Sequence, residues 1–273
     1  MRYVVDHDYH IHSYISPCLS REARAEQTPE KILQCAREMG LSRIVITDHY
    51  WDEDVPTKGK WSKNMPKAYD LISEVLPLPQ AEGTRFYFGC EVEMDLNQVI
   101  GLDKEKYDRF DFIIVATTHM HTDGCALPEG ELTFRERAEL YVQRFQALLD
   151  ADLPFEKVGL AHPTDPGIAP CEDLFAHLEV LDRIPDATFE NLFRQTAQKG
   201  MGVELNFWLN MYKAEDQARV LRPYRIAKEC GCKFYFGSDA HRPDNFNGTV
   251  ENARDIIAAL DLRESDKFHF PGE

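Results

Sequence analysis

The residues with the plainest chemical content lie near the amino terminus, in Asp8-Tyr9-His10-Ile11-His12-Ser13. They follow the β-branched and aromatic run Tyr3-Val4-Val5, so the segment reads as the end of a first strand. Residues two apart on a strand point to one face. His10 and His12 therefore project together, with ring nitrogens able to converge. Two neutral imidazoles on one side of a strand make half of a divalent metal site. The same pair could serve only to bond backbone carbonyls, so the motif takes its meaning from the rest of the chain.

Of the ten histidines, His10, His12, His49, His119, His121, His162 and His241 lie within or just after the carboxyl end of an expected strand. Glu91 and Asp239 occupy equivalent strand ends. In a parallel barrel all those ends meet on one face, where active sites are built. One such histidine would cap a loop or stack in the core. Seven with two carboxylates at one rim call for positive charge among them, and a divalent metal supplies it most simply. His7, His177 and His269 fall outside this pattern. Asp8 and Asp48 adjoin it, either to orient imidazoles as acceptors or to cap backbone amides.

The elements that must position these groups alternate. Thr28-Pro29-Glu30 opens a helix, with a capping hydroxyl, a proline suited to the first turn and a favourable acid. Gly40 ends it, and residues 42–47 form a buried strand with Asp48-His49 at its end. Strands are expected over 85–90, 110–118, 157–161, 202–206 and 233–236, and helices over 66–76, 132–150, 172–181, 187–199, 214–230 and 250–260. Trp51 and Trp61 bracket an aromatic, polar loop that either lids the barrel or packs on its top. Seven strands alternating with helices point to a single barrel-like α/β domain over residues 1–273. The competing open, doubly wound sheet lacks a glycine-rich phosphate loop after its first strand.

A chain of 273 residues with 43% hydrophobic and 29% charged residues suits one soluble domain with a sizeable core. A formal charge of −16 disfavours nucleic acid polymers and anionic membranes as partners. No leader pattern and no apolar run of about 18 residues is present, and the seven cysteines lack framework spacing, so reduced thiols in a cytoplasm are expected.

The ordered set His10-Ile11-His12, Thr47-Asp48-His49, Gly89-Cys90-Glu91, Thr118-His119, Ala161-His162-Pro163 and Ser238-Asp239-Ala240-His241 resembles the polymerase and histidinol phosphatase (PHP) superfamily. The resemblance implies a distorted, TIM-barrel-like (β/α)7 barrel carrying two to three divalent ions on its carboxyl face. By position, it makes His10, His12, Glu91 and Asp239 ligands of one metal. Glu91 bridges to another that takes His119 and His162, and His49 and His241 serve the remaining one. The family usually has a further histidine where this chain has Cys18. Either a thiolate ligates there, with softer character, or Pro17 turns the loop away and that ion is weakly held or absent. The His/carboxylate set suits zinc, manganese or iron.

Metals about 3.5–4 Å apart can hold a bridging hydroxide and clamp entering and leaving oxygens. The expected function is hydrolysis of a small phosphate monoester, histidinol-phosphatase-like, with the hydroxide attacking phosphorus. Asp239 or His241 would assist proton transfer to the leaving group. Arg242 is a candidate to grip the phosphate, and His121 a candidate to face the substrate. The alternatives are hydrolysis of a C–N or C–O bond at the same site, or a catalytically silent metal-binding domain. The near-complete ligand set argues against the silent role.

Overall fold

The run expected to begin the first strand does not pair within the barrel. Arg2 bridges antiparallel to Arg263, and the Val4 N–H donates to Glu264 Oε2 at 3.0 Å. The strand proper starts later, as β1 (His7–Ile11), every residue of which is buried. The computed structural model describes residues 1–57, 69–120, 126–128, 130–170 and 175–273. After β1 come α1 (Arg21–Arg24), α2 (Pro29–Glu38), β2 (Arg43–Ile46) and the two-residue β3 (His49–Tyr50). Then follow α3 (Tyr69–Ile72), β4 (Arg85–Glu93), β5 (Phe112–Ala116), α4 (Phe134–Asp150) and β6 (Val158–Leu160). The chain completes with α5 (Ala176–Asp182), α6 (Asp186–Lys199), β7 (Gly202–Leu205), α7 (Ala214–Glu229), β8 (Lys233–Phe236) and α8 (Thr249–Leu260).

The strands run parallel in the order β1-β2-β4-β5-β6-β7-β8, with β3 pairing beside β4. Across the remaining seam Ile11 bridges Ala240, the His12 N–H donates to Ala240 O at 3.0 Å and the Asp239 N–H to His10 O at 2.8 Å. The result is a nearly closed, TIM-barrel-like fold of seven parallel strands with helices outside, as the alternation predicts. The helix over 66–76 is only partly met: described residues give α3 and a 3₁₀ turn, Ser73–Val75.

Two apolar layers support it. Inside the barrel, Tyr9, Val45, Phe112, Ile114 and Tyr235 meet Phe268 and Phe270 from the final segment, which plug its lower end. A side chain at Gly159 would begin 2.5 Å from Tyr235 Oη, so glycine there admits the ring. Outside, the other faces of the strands pack against the helices, with Phe145, Phe189 and Phe193 fully buried. Two helix starts are chemically marked: Thr28 accepts from the Lys31 N–H, and Thr133 forms a reciprocal capping box with Glu136. A core this dense makes the upper rim a rigid platform.

Candidate metal centre

Each expected ligand among the described residues reaches the upper rim, and the local backbone shows how. His10 lies in β1 and His12 just beyond it, and their Nε2 atoms stand 3.0 Å apart. Asp239 follows β8 in a left-handed conformation (φ 54°), which swings its carboxylate over β1. Its Oδ1 is 3.4 Å from His10 Nε2 and 3.0 Å from His12 Nε2. His162, after β6, is likewise left-handed, with φ 25°. Non-glycine residues persist there only when the surroundings over-determine them, and both are expected ligands.

Glu91 sits among these groups and is 1% exposed. Its Oε2 lies 2.7 Å from His49 Nδ1, 3.4 Å from His12 Nε2 and 3.6 Å from His10 Nε2. Its Oε1 faces the other side, 3.0 Å from His162 Nε2 and 3.7 Å from His119 Nε2. Each oxygen therefore addresses a different set of imidazoles, the disposition a bridging carboxylate needs. His241 stacks on His12 with ring centroids 4.1 Å apart, and its Nε2 is 3.2 Å from Asp239 Oδ1. Among the described residues, four trios converge closely enough to share an ion: His12, His49 and His241; His10, His12 and Asp239; His10, Glu91 and His162; and His49, Glu93 and His119. Cys18 stands outside these trios, but its Sγ is 2.9 Å from His49 Nε2.

The donor atoms fit a cation better than they fit each other. Two nitrogens bound tetrahedrally to one zinc lie about 3.3 Å apart, near the separation of His10 and His12. Glu91 Oε2, His12 Nδ1 and His49 Nδ1 are buried without a hydrogen-bond partner, although His49 Nδ1 and Glu91 Oε2 are only 2.7 Å apart. Close approach without hydrogen-bond alignment is what lone pairs aimed at a common point produce.

The charges carry the same signature. Burial alone would raise the Glu91 carboxyl, yet His49, His10 and His119 hold it well below the usual range. Asp239 is lowered against burial by His10 and His241. Glu93, resisting burial through His119 and His49, falls to about 2. In return, and against desolvation, His10 is raised by Glu204, Asp239 and Glu91, and His162 rises to about 9 through Glu91 and Asp165. Burial pushes the Cys18 thiol up, but the His49 hydrogen bond and charge outweigh it and lower the thiol. Protons on imidazoles thus supply the positive charge that divalent ions would otherwise bring.

Three residues support the ligands; Glu93 and Glu204 escaped the sequence reading, and Thr118 entered it only as part of the Thr118-His119 motif. Glu93 accepts from His119 Nδ1 at 2.8 Å and lies 3.2 Å from His49 Nδ1. It is two residues beyond Glu91 on β4, so the spacing argument used for His10 and His12 would have found it. Thr118 Oγ1 is 2.7 Å from His162 Nδ1. Glu204, on β7, is 2.8 Å from His10 Nδ1 and accepts the His162 N–H at 2.6 Å, and no local signal announces it.

The neighbouring aspartates resolve as backbone caps. Asp8 Oδ1 accepts from the His10 and Ser238 N–H groups, while burial raises its carboxyl to about 7. Asp48 accepts from the Ser13 N–H and hydroxyl, with His12 Nδ1 more distant at 3.8 Å. Arg242 follows His241, and its side chain makes no hydrogen bond or ion pair with the described residues. Trp51 is 1% exposed and donates its indole N–H to Val55 O, so it packs into the barrel top. His121 and Trp61 lie outside the described residues.

Fold and site together define a barrel with a histidine–carboxylate cluster suited to divalent metals at the carboxyl ends of its strands. The chain belongs to the PHP domain family, whose profile matches residues 8–207. Its structure is similar to that of histidinol phosphate phosphatase from Lactococcus lactis subsp. lactis, solved with zinc, L-histidinol and phosphate. The identity is 18% and the TM-score 0.64, over 97% of this chain and 99% of that one. It is also similar to a putative histidinol phosphatase from Listeria monocytogenes, at 14% identity and TM-score 0.58, over 88% of this chain and 97% of that one. These likenesses establish the fold. No curated protein matches the sequence significantly. No described helix is long and apolar enough to cross a membrane.

Proposed function

We propose that the protein is a metal-dependent phosphoesterase that hydrolyses a small phosphate monoester, with histidinol phosphate the first candidate substrate. The observation that carries this reading is the position of Glu91, each oxygen of which faces a separate group of imidazoles. Membership of the PHP family and the fold shared with a histidinol phosphate phosphatase support it. His10, His12, Glu91 and Asp239 would hold one ion, and Glu91, His119 and His162 a second. His49 and His241 would hold a third, completed by the Cys18 thiolate, with zinc, manganese or iron suited to the set. When bound, such ions supply Lewis acidity toward phosphate oxygens and a hydroxide nucleophile at neutral pH.

The protein's own groups divide the remaining work. His10, His12 and Glu91 are at most 1% exposed, whereas the side chains of Asp239 and His241 are 31% and 19% exposed. These two form the solvent-facing edge, where water admitted beside them would supply the proton to a leaving alkoxide. Arg242, the next residue after His241, would meet phosphate oxygens from solvent. The charge of −16 favours a small phosphorylated metabolite over a nucleic acid polymer, and the cysteine usage favours the cytoplasm.

The decisive experiment is phosphate release from a panel of small esters, histidinol phosphate included, by protein reconstituted with manganese or zinc, beside Glu91→Ala. Release by the wild type alone establishes the activity, and the ranking of esters narrows the substrate. With metals bound and no ester cleaved, the phosphoesterase reading fails in favour of attack on a C–N or C–O bond. With no metal bound, the metal reading fails as well.

A further inference from the structure

β7 is the one barrel strand that offers no proposed ion ligand from itself or the loop that leaves it. It contributes Glu204 instead, a side chain with no solvent exposure beneath the cluster. Its Oε1 lies 2.8 Å from His10 Nδ1 and accepts from Asn206 Nδ2 at 3.4 Å, while its Oε2 accepts the His162 N–H at 2.6 Å. The space for it comes from a third strand. A Cβ at position 237 would fall 1.8 Å from Glu204 Oε1, so only glycine after β8 admits the carboxylate.

We propose that Glu204 is the positioning residue of the centre, fixing the ring of His10 through Nδ1 and the backbone of His162 through its N–H. The inference rests on the metal-centre reading above. A carboxylate only accepts hydrogen bonds, so His10 must carry its proton on Nδ1. With an ion in place of the second proton, its Nε2 lone pair is then aimed at the same point as Glu91 Oε2 and Asp239 Oδ1, which lie 3.6 and 3.4 Å from it. The second oxygen anchors His162 in its left-handed conformation, from which Nε2 reaches Glu91 Oε1 at 3.0 Å. One buried carboxylate thereby sets a ligand on each side of Glu91. A glutamine cannot replace it, because its NH2 would face either the His10 ring or the His162 N–H. Facing the ring, it would select the tautomer whose Nε2 is blocked by hydrogen.

The test compares wild type, Glu204→Gln and Gly237→Ala, each checked for folding by thermal melting. Zinc affinity is read by chelator competition, and the His10 Nδ1–H by its downfield NMR resonance, assigned through its loss in His10→Ala. Both variants should bind zinc about 10–100-fold more weakly, with that resonance lost or shifted upfield. Should either fail to fold, Glu204→Asp, which keeps an acceptor-only group, should retain the resonance while binding zinc more weakly. Wild-type affinity and an unchanged resonance in a folded Glu204→Gln would overturn the proposal. Wild type without zinc affinity would instead defeat the metal reading, and the resonance would still report whether Glu204 holds His10.

Discussion

The two ends of the barrel both gather clustered acids, but they neutralise them differently. At the lower end, Asp6 lies 2.6 Å from Arg43 Nη2 and 3.2 Å from Lys267 Nζ. Glu273 is 2.6 Å from Arg43, and Glu264 is 2.6 Å from Lys267, whose side chain is fully buried. At the upper end, the ion pairs of Glu91, Glu93 and Asp239 among the described residues are all with imidazoles. A guanidinium or ammonium keeps its charge at any physiological pH, so the lower end carries permanent cations of its own as a structural clasp, with His7 pairing Asp6 and His269 pairing Glu273 beside them. An imidazole's proton can be displaced by a metal ion, which a guanidinium's or ammonium's charge cannot, so the protonated imidazoles of the upper end leave it open to external cations. The same acid chemistry forms a fastener in one place and a candidate cation site in the other, according to the permanence of the opposing charge.

The sharpest break in this comparison is Glu91→Ala. It should lower metal occupancy and reduce phosphate release at least about a hundredfold, since even supporting partners of ligands are worth 10–100-fold. Retained occupancy by elemental analysis would place the bridging position elsewhere. The opposite end should respond in stability alone. Lys267→Met strips Asp6 and Glu264 of a buried partner and should cost about 1–3 kcal/mol in denaturant unfolding. That is below the 3–5 typical of fully buried pairs because Arg43 remains. Any loss of zinc affinity in that variant would show that the two ends are not independent.

A smaller effect separates soft from hard ligation at the top. Cys18→Ala should reduce the stoichiometry or affinity of one ion only, with loss of any thiolate-to-cobalt absorption band in the cobalt-substituted protein. No such band in the wild type would remove the thiolate from the ligand set. The subtlest prediction concerns acid. Burial opposes ionisation of Asp6, but His7, Arg43 and Lys267 hold its carboxyl well below the usual range. A carboxylate depressed on folding stabilises above its unfolded value, near 3.9, and loses that contribution as pH falls further. Melting temperature should therefore decline in that acid window, less so in Asp6→Asn, and chelator should leave the slope unchanged. An identical slope in Asp6→Asn would assign the acid sensitivity to other groups.

Much of the fold and most of the cluster were legible in the chain because strand chemistry is local. A run such as Ile44-Val45-Ile46 marks a buried parallel strand, and a chain that alternates such runs with capped helices brings their carboxyl ends to one face. His10, His12, Glu91, His119, His162, Asp239 and His241 could thus be assigned to a common rim before any distance was known. Errors arose where pairing competes with composition. Tyr3-Val4-Val5 has strand residues but meets the segment around Arg263 and Glu264, and β4 extends to Glu93 because β3 and β5 pair along it.

What the sequence determined by itself is the alternation, the identity of the rim and the stock of imidazoles and carboxylates on it, all set by residue type and by period within single elements. Tertiary structure alone decided which carboxylate faces which nitrogen. Glu204 meets His10 across 194 residues, and Lys267 meets Asp6 across 261. Such partners depend on the register and closure of seven strands, to an ångström, and no spacing along the chain encodes them. That is why the residues that converge on the candidate centre could be read from the chain, and the groups that hold them in place could not.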